Sequence, residues 1–160
     1  MTFANIAERI RHFGTFYGKV TTKDDKPTLK IDQHNEKFNS AQFGNCVYYF
    51  IAPPDRVYKI GEATTFSSRK NTYQNGLKCR TTKKIYDLIK NNPDLDNAEV
   101  WMVQTPRVQV TIIDPLYPEE GPVPITVSTS NTIEQNHIQR AYNEGYVLEA
   151  CNEVKNERIT

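Results

Sequence analysis

The run Cys46-Val47-Tyr48-Tyr49-Phe50-Ile51-Ala52, followed by Pro53-Pro54-Asp55 and then Arg56-Val57-Tyr58-Lys59-Ile60-Gly61, decides the fold class. Both flanking stretches are rich in β-branched and aromatic residues, and the break between them has the composition of a tight turn. The segment therefore predicts a β-hairpin. With the turn centred on Pro53–Asp55, Lys59 is expected opposite Tyr48 or Tyr49, and cross-strand neighbours lie roughly 5 Å apart. An ammonium at that distance favours phenolate over phenol and lowers a tyrosine from its ordinary pKa of about 10. Such a tyrosine can act as a general base near neutral pH, and Tyr48 is the candidate. Tyr49 and Tyr58 are read as strand aromatics packing on the sheet, a reading that also stands against Tyr48 taken alone.

Downstream, a helix is expected from about Ser67 to Gln74, closed by Asn75-Gly76. A second runs from about Thr82 to Asn91, with Ile85, Leu88 and Ile89 on its buried face. After the Asn92-Pro93-Asp94 break, Ala98–Gln104 reads as a strand. Residues 106–128 form a proline-interrupted excursion in which Val108–Ile112 and Pro124–Val127 are expected to pair. Asn131 caps a helix that ends near Glu144-Gly145. Upstream, residues 1–14 read as a helix through Phe3, Ile6, Ile10 and Phe13, with Gly14 as its stop. Residues 19–42 are polar, with weak strand character only around Leu29–Ile31. The pattern is α+β: a small antiparallel β-sheet flanked by helices, with an inserted β-hairpin.

A length of 160 residues suits one domain with a real core, and 38% hydrophobic with 11% aromatic residues argues against disorder. We expect a single domain over 1–160: a variable N-terminal part, 1–43, and a core, 44–144, that includes the 106–128 insertion. No stretch approaches the ~20 apolar residues that span a bilayer, and the N-terminus lacks an apolar signal core, so a cytoplasmic protein without a membrane partner is expected. Cys46, Cys79 and Cys151 have neither a C-x-x-C pair nor a histidine at zinc-ligand spacing, and read as reduced and structural. His12, His34 and His137 do not cluster.

The formal net charge of +1 conceals a division along the chain: residues 56–90 carry a balance of +7 and residues 91–160 one of −7. The basic block is either a solvated cationic face or a surface for a phosphate backbone. In the second case Lys70, Lys78, Arg80, Lys83 and Lys84 are the candidate DNA contacts.

Chemistry beside the block favours the second reading. Val47-Tyr48, then Lys59-Ile60-Gly61, then Arg69 eight residues after Gly61 and Tyr73 four further on, resembles a GIY-YIG nuclease in order and spacing. The leading glycine of the first motif is replaced by Cys46, and lysine stands where the second motif usually has tyrosine. That replacement is similar to the branch containing small stand-alone type II restriction endonucleases, which cut short symmetrical sites as homodimers. The likeness runs from about Gly44 to Ala141. Glu62 departs from the polar or His residue found in relatives, and the usual accessory base is not assigned there. The resemblance implies that Tyr48, Lys59, Arg69, Tyr73 and Glu134 are catalytic, with Glu134 holding Mg²⁺ (or Mn²⁺).

Each of these residues also has a physical rationale. Arg69 and Tyr73 project from one helix face with Phe66 as its core anchor, and a guanidinium there can bind two oxygens of a developing phosphorane. Glu134 is a hard oxygen ligand suited to Mg²⁺. Alternatively, Asn131-Thr132-Ile133-Glu134 is a capping box. Glu149 and Asn152 are a fallback polar pair beyond the glutamate helix.

The expected activity is hydrolysis of double-stranded DNA without a covalent intermediate, by a sequence-specific homodimer. Arg107, Gln109 and Asn131 are candidate base readers, with the excursion and N-terminal segment supplying base or dimer contacts. A phage, mobile-element or toxin nuclease with the same chemistry, a catalytically silent DNA-binding module and a plain interaction protein are the alternatives.

Overall fold

The computed structural model describes residues 2–39 and 43–148. In chain order the elements are α1 (Ile6–Phe13), β1 (Thr15–Lys23), β2 (Thr28–Gln33), β3 (Gly44–Ala52), β4 (Arg56–Thr65), α2 (Phe66–Gln74), α3 (Arg80–Asn91), β5 (Ala98–Gln104), β6 (Arg107–Ile113), β7 (Pro122–Ser128) and α4 (Ser130–Asn143). A five-stranded sheet has the order β2-β1-β5-β3-β4, with every neighbouring pair antiparallel, and β6 and β7 form a separate two-stranded sheet. The chain is thus an α+β fold with a flanked antiparallel sheet and an inserted hairpin.

The reason β3 reads as an unbroken apolar run is that helices cover both faces of the sheet. Every residue from Cys46 to Ala52 is buried. On one face, Tyr48 and Phe50 pack with Phe66 and Tyr73 of α2 and Ile85 and Ile89 of α3. On the other, Val47, Tyr49 and Ile51 pack with Ile6 and Ile10 of α1 and Ile138 and Ala141 of α4. The turn between β3 and β4 is tied to α1, where Asp55 pairs with Arg11 and accepts from Asn5 Nδ2 at 3.1 Å. Those two partners hold the Asp55 carboxyl below its ordinary pKa.

Several boundaries differ from expectation. The first helix starts only at Ile6, where the Asn5 side chain accepts from the Glu8 amide, and Phe13 is 67% exposed rather than part of the core. The polar stretch after it supplies both β1 and β2. A bulge between Phe16 and Gly18 breaks the alternation of β1, which hides that strand from a period-two reading. Asn131 is not the cap of the last helix: Thr129 occupies that position and Asn131 lies in the first turn. Glu134 is consequently two positions past Thr132, where a capping box would need its glutamate. Glu149, Cys151 and Asn152 lie outside the described residues. Among those described, no helix is long and apolar enough to cross a membrane.

Candidate functional site

The site is built at the free edge of the main sheet. β4 is the terminal strand of that sheet among the described residues, and α2 reaches it from one side while α4 reaches it from the other. Glu62 is the meeting point. Its carbonyl accepts from Arg69 Nη2 at 3.1 Å, and its Oε2 accepts from Ser130 Oγ of α4 at 2.8 Å.

One residue before Glu62, Gly61 pairs with Tyr48 on β3. A Cβ at Gly61 would overlap the Tyr48 hydroxyl and ring, so glycine is what lets the phenol lie across the edge strand. The Tyr48 hydroxyl is 2.5 Å from the Tyr73 hydroxyl, and its ring packs edge-on against Phe66 with centroids 5.4 Å apart. Burial pushes the Tyr48 phenol well above its ordinary value, the Tyr73 neighbour adds to the rise, and the Arg69 guanidinium opposes it.

Glu134 enters from α4 and is 1% exposed. Its Oε1 accepts from Gln135 Nε2 at 2.9 Å, whereas Oε2 is buried without a hydrogen-bond partner among the described residues. Burial raises its carboxyl above the ordinary range; the Gln135 amide, the Lys59 ammonium and the Glu62 backbone amide oppose that rise, and the Glu62 carboxylate reinforces it. The field of Glu134 is also felt at the Tyr48 phenol. Tyr48, Arg69, Tyr73 and Glu134 therefore share one electrostatic neighbourhood, although they come from three separate elements.

The position of Lys59 differs from expectation. Tyr48 faces Gly61, Tyr49 faces Ile60, and Lys59 faces Phe50. The turn is where the sequence puts it, but a bulge between Phe50 and Ile51 adds Tyr58 to β4 and shifts every later pair by one. Tyr58 uses the extra position to send its hydroxyl to Leu95 O at 3.3 Å inside the core. Lys59 is 2% exposed, and its charge acts on Glu134. The lowering of Tyr48 by an opposed Lys59 is accordingly replaced by a phenol that burial keeps protonated.

The fit of a divalent ion can be judged from Glu134 itself. A buried carboxylate oxygen lacking a donor is a costly arrangement for a folded protein, and it is the arrangement that a hard cation would complete. Mg²⁺ commonly binds through one or two carboxylates, keeping waters and substrate phosphate in its other positions. Glu134 meets that requirement, with Glu62 close enough to perturb it. Among the described residues, no group of three or more His, Cys, Asp or Glu forms an all-protein metal cage.

The basic candidates are distributed more widely. Lys78, Arg80, Lys83 and Lys84 are exposed on α3 and the segment before it, with Lys83 paired to Asp87 at 2.6 Å. Lys70 is half-buried and donates to the Tyr17 hydroxyl at 3.0 Å. Arg107 and Gln109 stand exposed on one face of β6, and Asn131 is exposed at the start of α4. Arg107 pairs with Ser128, so it shares the hairpin base with Ser130, the residue that reaches Glu62. Ser130 and Gln135 are not singled out by the sequence, because no spacing or motif marks either of them. Comparison with protein-family models, curated proteins and solved structures gave no match.

Proposed function

We propose that this chain is a Mg²⁺-dependent (or Mn²⁺-dependent) DNA endonuclease of the GIY-YIG kind, hydrolysing phosphodiester bonds in duplex DNA as a sequence-specific homodimer. The observation that carries this reading is the buried Glu134 Oε2, which has no hydrogen bond among the described residues, in the same neighbourhood as the Tyr48–Tyr73 hydroxyl pair and Arg69. Two phenols, a guanidinium and a carboxylate suit phosphoryl chemistry, in which positioning and charge stabilisation do most of the work.

Tyr48 is the proton acceptor for the attacking water in this scheme. Tyr48 takes that proton as the phenolate, after giving its own proton to solvent; burial opposes this ionisation, and the positive charge of Arg69 favours it without itself accepting a proton. Tyr73 holds the Tyr48 hydroxyl in place and offers a second contact to the scissile phosphate. Arg69 donates to the non-bridging oxygens as charge grows on them. Glu134 would hold the divalent ion, which when bound supplies positive charge against the pentacoordinate phosphorus and the departing 3′ oxygen. Lys59 is a positioning residue whose charge favours the ionised form of Glu134 against the effect of burial. The exposed Lys78, Arg80, Lys83 and Lys84 supply cationic surface for the phosphate backbone, and Arg107 and Asn131 flank the hairpin base.

One chain offers one such cluster and a duplex has two strands, so two copies acting on a two-fold symmetric site follow from the chemistry. Incubating the purified chain with Mg²⁺ and a long plasmid tests the reading. Discrete fragments are expected; a smear would remove the sequence specificity, and intact plasmid would leave the silent DNA-binding module.

A further inference from the structure

Among the described residues, the β6–β7 hairpin stands outside both buried clusters, with β6 exposed throughout and the apolar positions of β7 half-buried. The pairs Val108 with Val127, Val110 with Ile125 and Ile112 with Val123 line up six β-branched side chains on one face, yet none belongs to either buried cluster. A two-stranded ribbon with an apolar face is marginal in water on its own. At its tip, Leu116 is 81% exposed and Tyr117 is half exposed, between Asp114 on one side and Glu119 and Glu120 on the other. Among the described residues, neither glutamate has a cationic partner.

On the α1–α4 side of the sheet lies a cavity of about 440 Å³ with the complementary character. Ile10, Phe13 and Val103 make it apolar, and Arg9 and Arg140 stand in its wall. His137 and Tyr49 close it, with the Tyr49 hydroxyl 2.7 Å from His137 Nδ1. The Arg9 guanidinium lies over the Phe3 ring, 4.7 Å from its centroid, an arrangement that leaves its in-plane donors for a carboxylate. Neither arginine is in an ion pair among the described residues.

Charge selects the occupant. A tip carrying three carboxylates and no cation repels a phosphate backbone, whereas a groove with two arginines that lack an ion pair among the described residues, around an apolar floor, attracts an acidic, apolar segment. The chain itself displays such a segment. We propose that the tip of the β6–β7 hairpin seats in the Arg9–Arg140 groove of a second copy of this chain, each copy giving its tip and receiving the other's. This rests on the two-copy reading above and gives it a contact. It also assigns the outer part of the 106–128 hairpin to the dimer, leaving only its base, at Arg107, beside the nuclease site.

A charge-reversal pair tests the contact by mass, without any need for cleavage. One variant carries E119R and E120R, so that its tip and its groove are both positive; the other carries R9E and R140E, so that both are negative. The wild-type chain is expected at twice its 18.4 kDa mass in sedimentation or light scattering. Each variant alone is expected to self-associate at least about ten-fold more weakly, and an equimolar mixture to recover the two-chain mass, since both contacts are then matched. A monomeric wild type, undiminished dimerisation of either variant, or a mixture that stays monomeric would overturn the proposal. Circular dichroism establishes that each variant is folded, and the milder E119Q/E120Q chain, expected to be weakened as well, covers the case in which a reversed variant is not. A dimer with this behaviour but no nuclease activity would sink the nuclease reading and leave the contact standing.

Discussion

Two hairpins of this chain are written in the same alphabet of β-branched residues and proline-marked turns, and they meet opposite fates. In β3–β4, residues Cys46–Ala52 are all buried, whereas in β6 every residue from Arg107 to Ile113 is exposed. The difference lies in what covers them: helices pack on both faces of β3, and nothing in the described chain packs on the β6–β7 ribbon to a comparable extent. Apolar alternation therefore specifies a strand but not its burial, which is a property of the partners. The buried hairpin carries the chemistry we propose, and the bare one is available for assembly.

The largest expected contrast between the two is in activity. Glu134→Gln and Tyr48→Phe should each slow Mg²⁺-dependent cleavage by about 10²–10⁴-fold with the far-ultraviolet spectrum unchanged, while Gln109→Ala on the ribbon should leave the single-turnover rate at saturating DNA near that of the wild type. Comparable losses at all three positions would erase the division of labour. In chemical denaturation, Phe50→Ala should remove about 3–5 kcal/mol of stability through the cavity it leaves among Tyr48, Tyr58 and Tyr73. Val110→Ala, on the exposed ribbon, should change the stability of the monomer by no more than about 0.5 kcal/mol. Gly61→Ala sits between them: the added methyl meets the Tyr48 ring, and overpacking of this kind costs about 1–3 kcal/mol.

The pH profile separates the two charges beside the site. The Tyr48 phenol lies well above its ordinary value, so its deprotonated fraction is small near neutrality and increases with pH. Cleavage should climb through the alkaline range, and a plateau already reached below pH 7 would exclude Tyr48 as the proton acceptor. On the acid side, Lys59 lowers the Glu134 carboxyl, so Lys59→Met should raise it further and move the acidic limb to higher pH. An acidic limb that stays in place would mean that Lys59 acts elsewhere.

How much of this was legible in the sequence follows from the same contrast. Strand β5 and the helix α2 were readable because their burial and end signals are local: alternation in one case, Asn75-Gly76 in the other. The register was not, since the bulge at Tyr58 answers to a core contact with Leu95, far along the chain. Strand β1 was hidden by its own bulge and by its half-buried polar positions, Lys19, Thr21 and Thr22. Among the site residues, spacing gave Arg69 and Tyr73 a common helix face, but no local pattern could show that Glu62 would link α2 to α4, or that Glu134 would lose its solvent. Those are facts about which elements meet at the β4 edge.

The most direct measurement is the rate of plasmid linearisation by the wild-type chain and by Glu134→Gln, each with Mg²⁺ and with excess chelator. The account predicts linear product only for the wild type with Mg²⁺, and none with chelator or with the variant. Linearisation by a folded Glu134→Gln chain at the wild-type rate, or an equal rate in chelator, would contradict it.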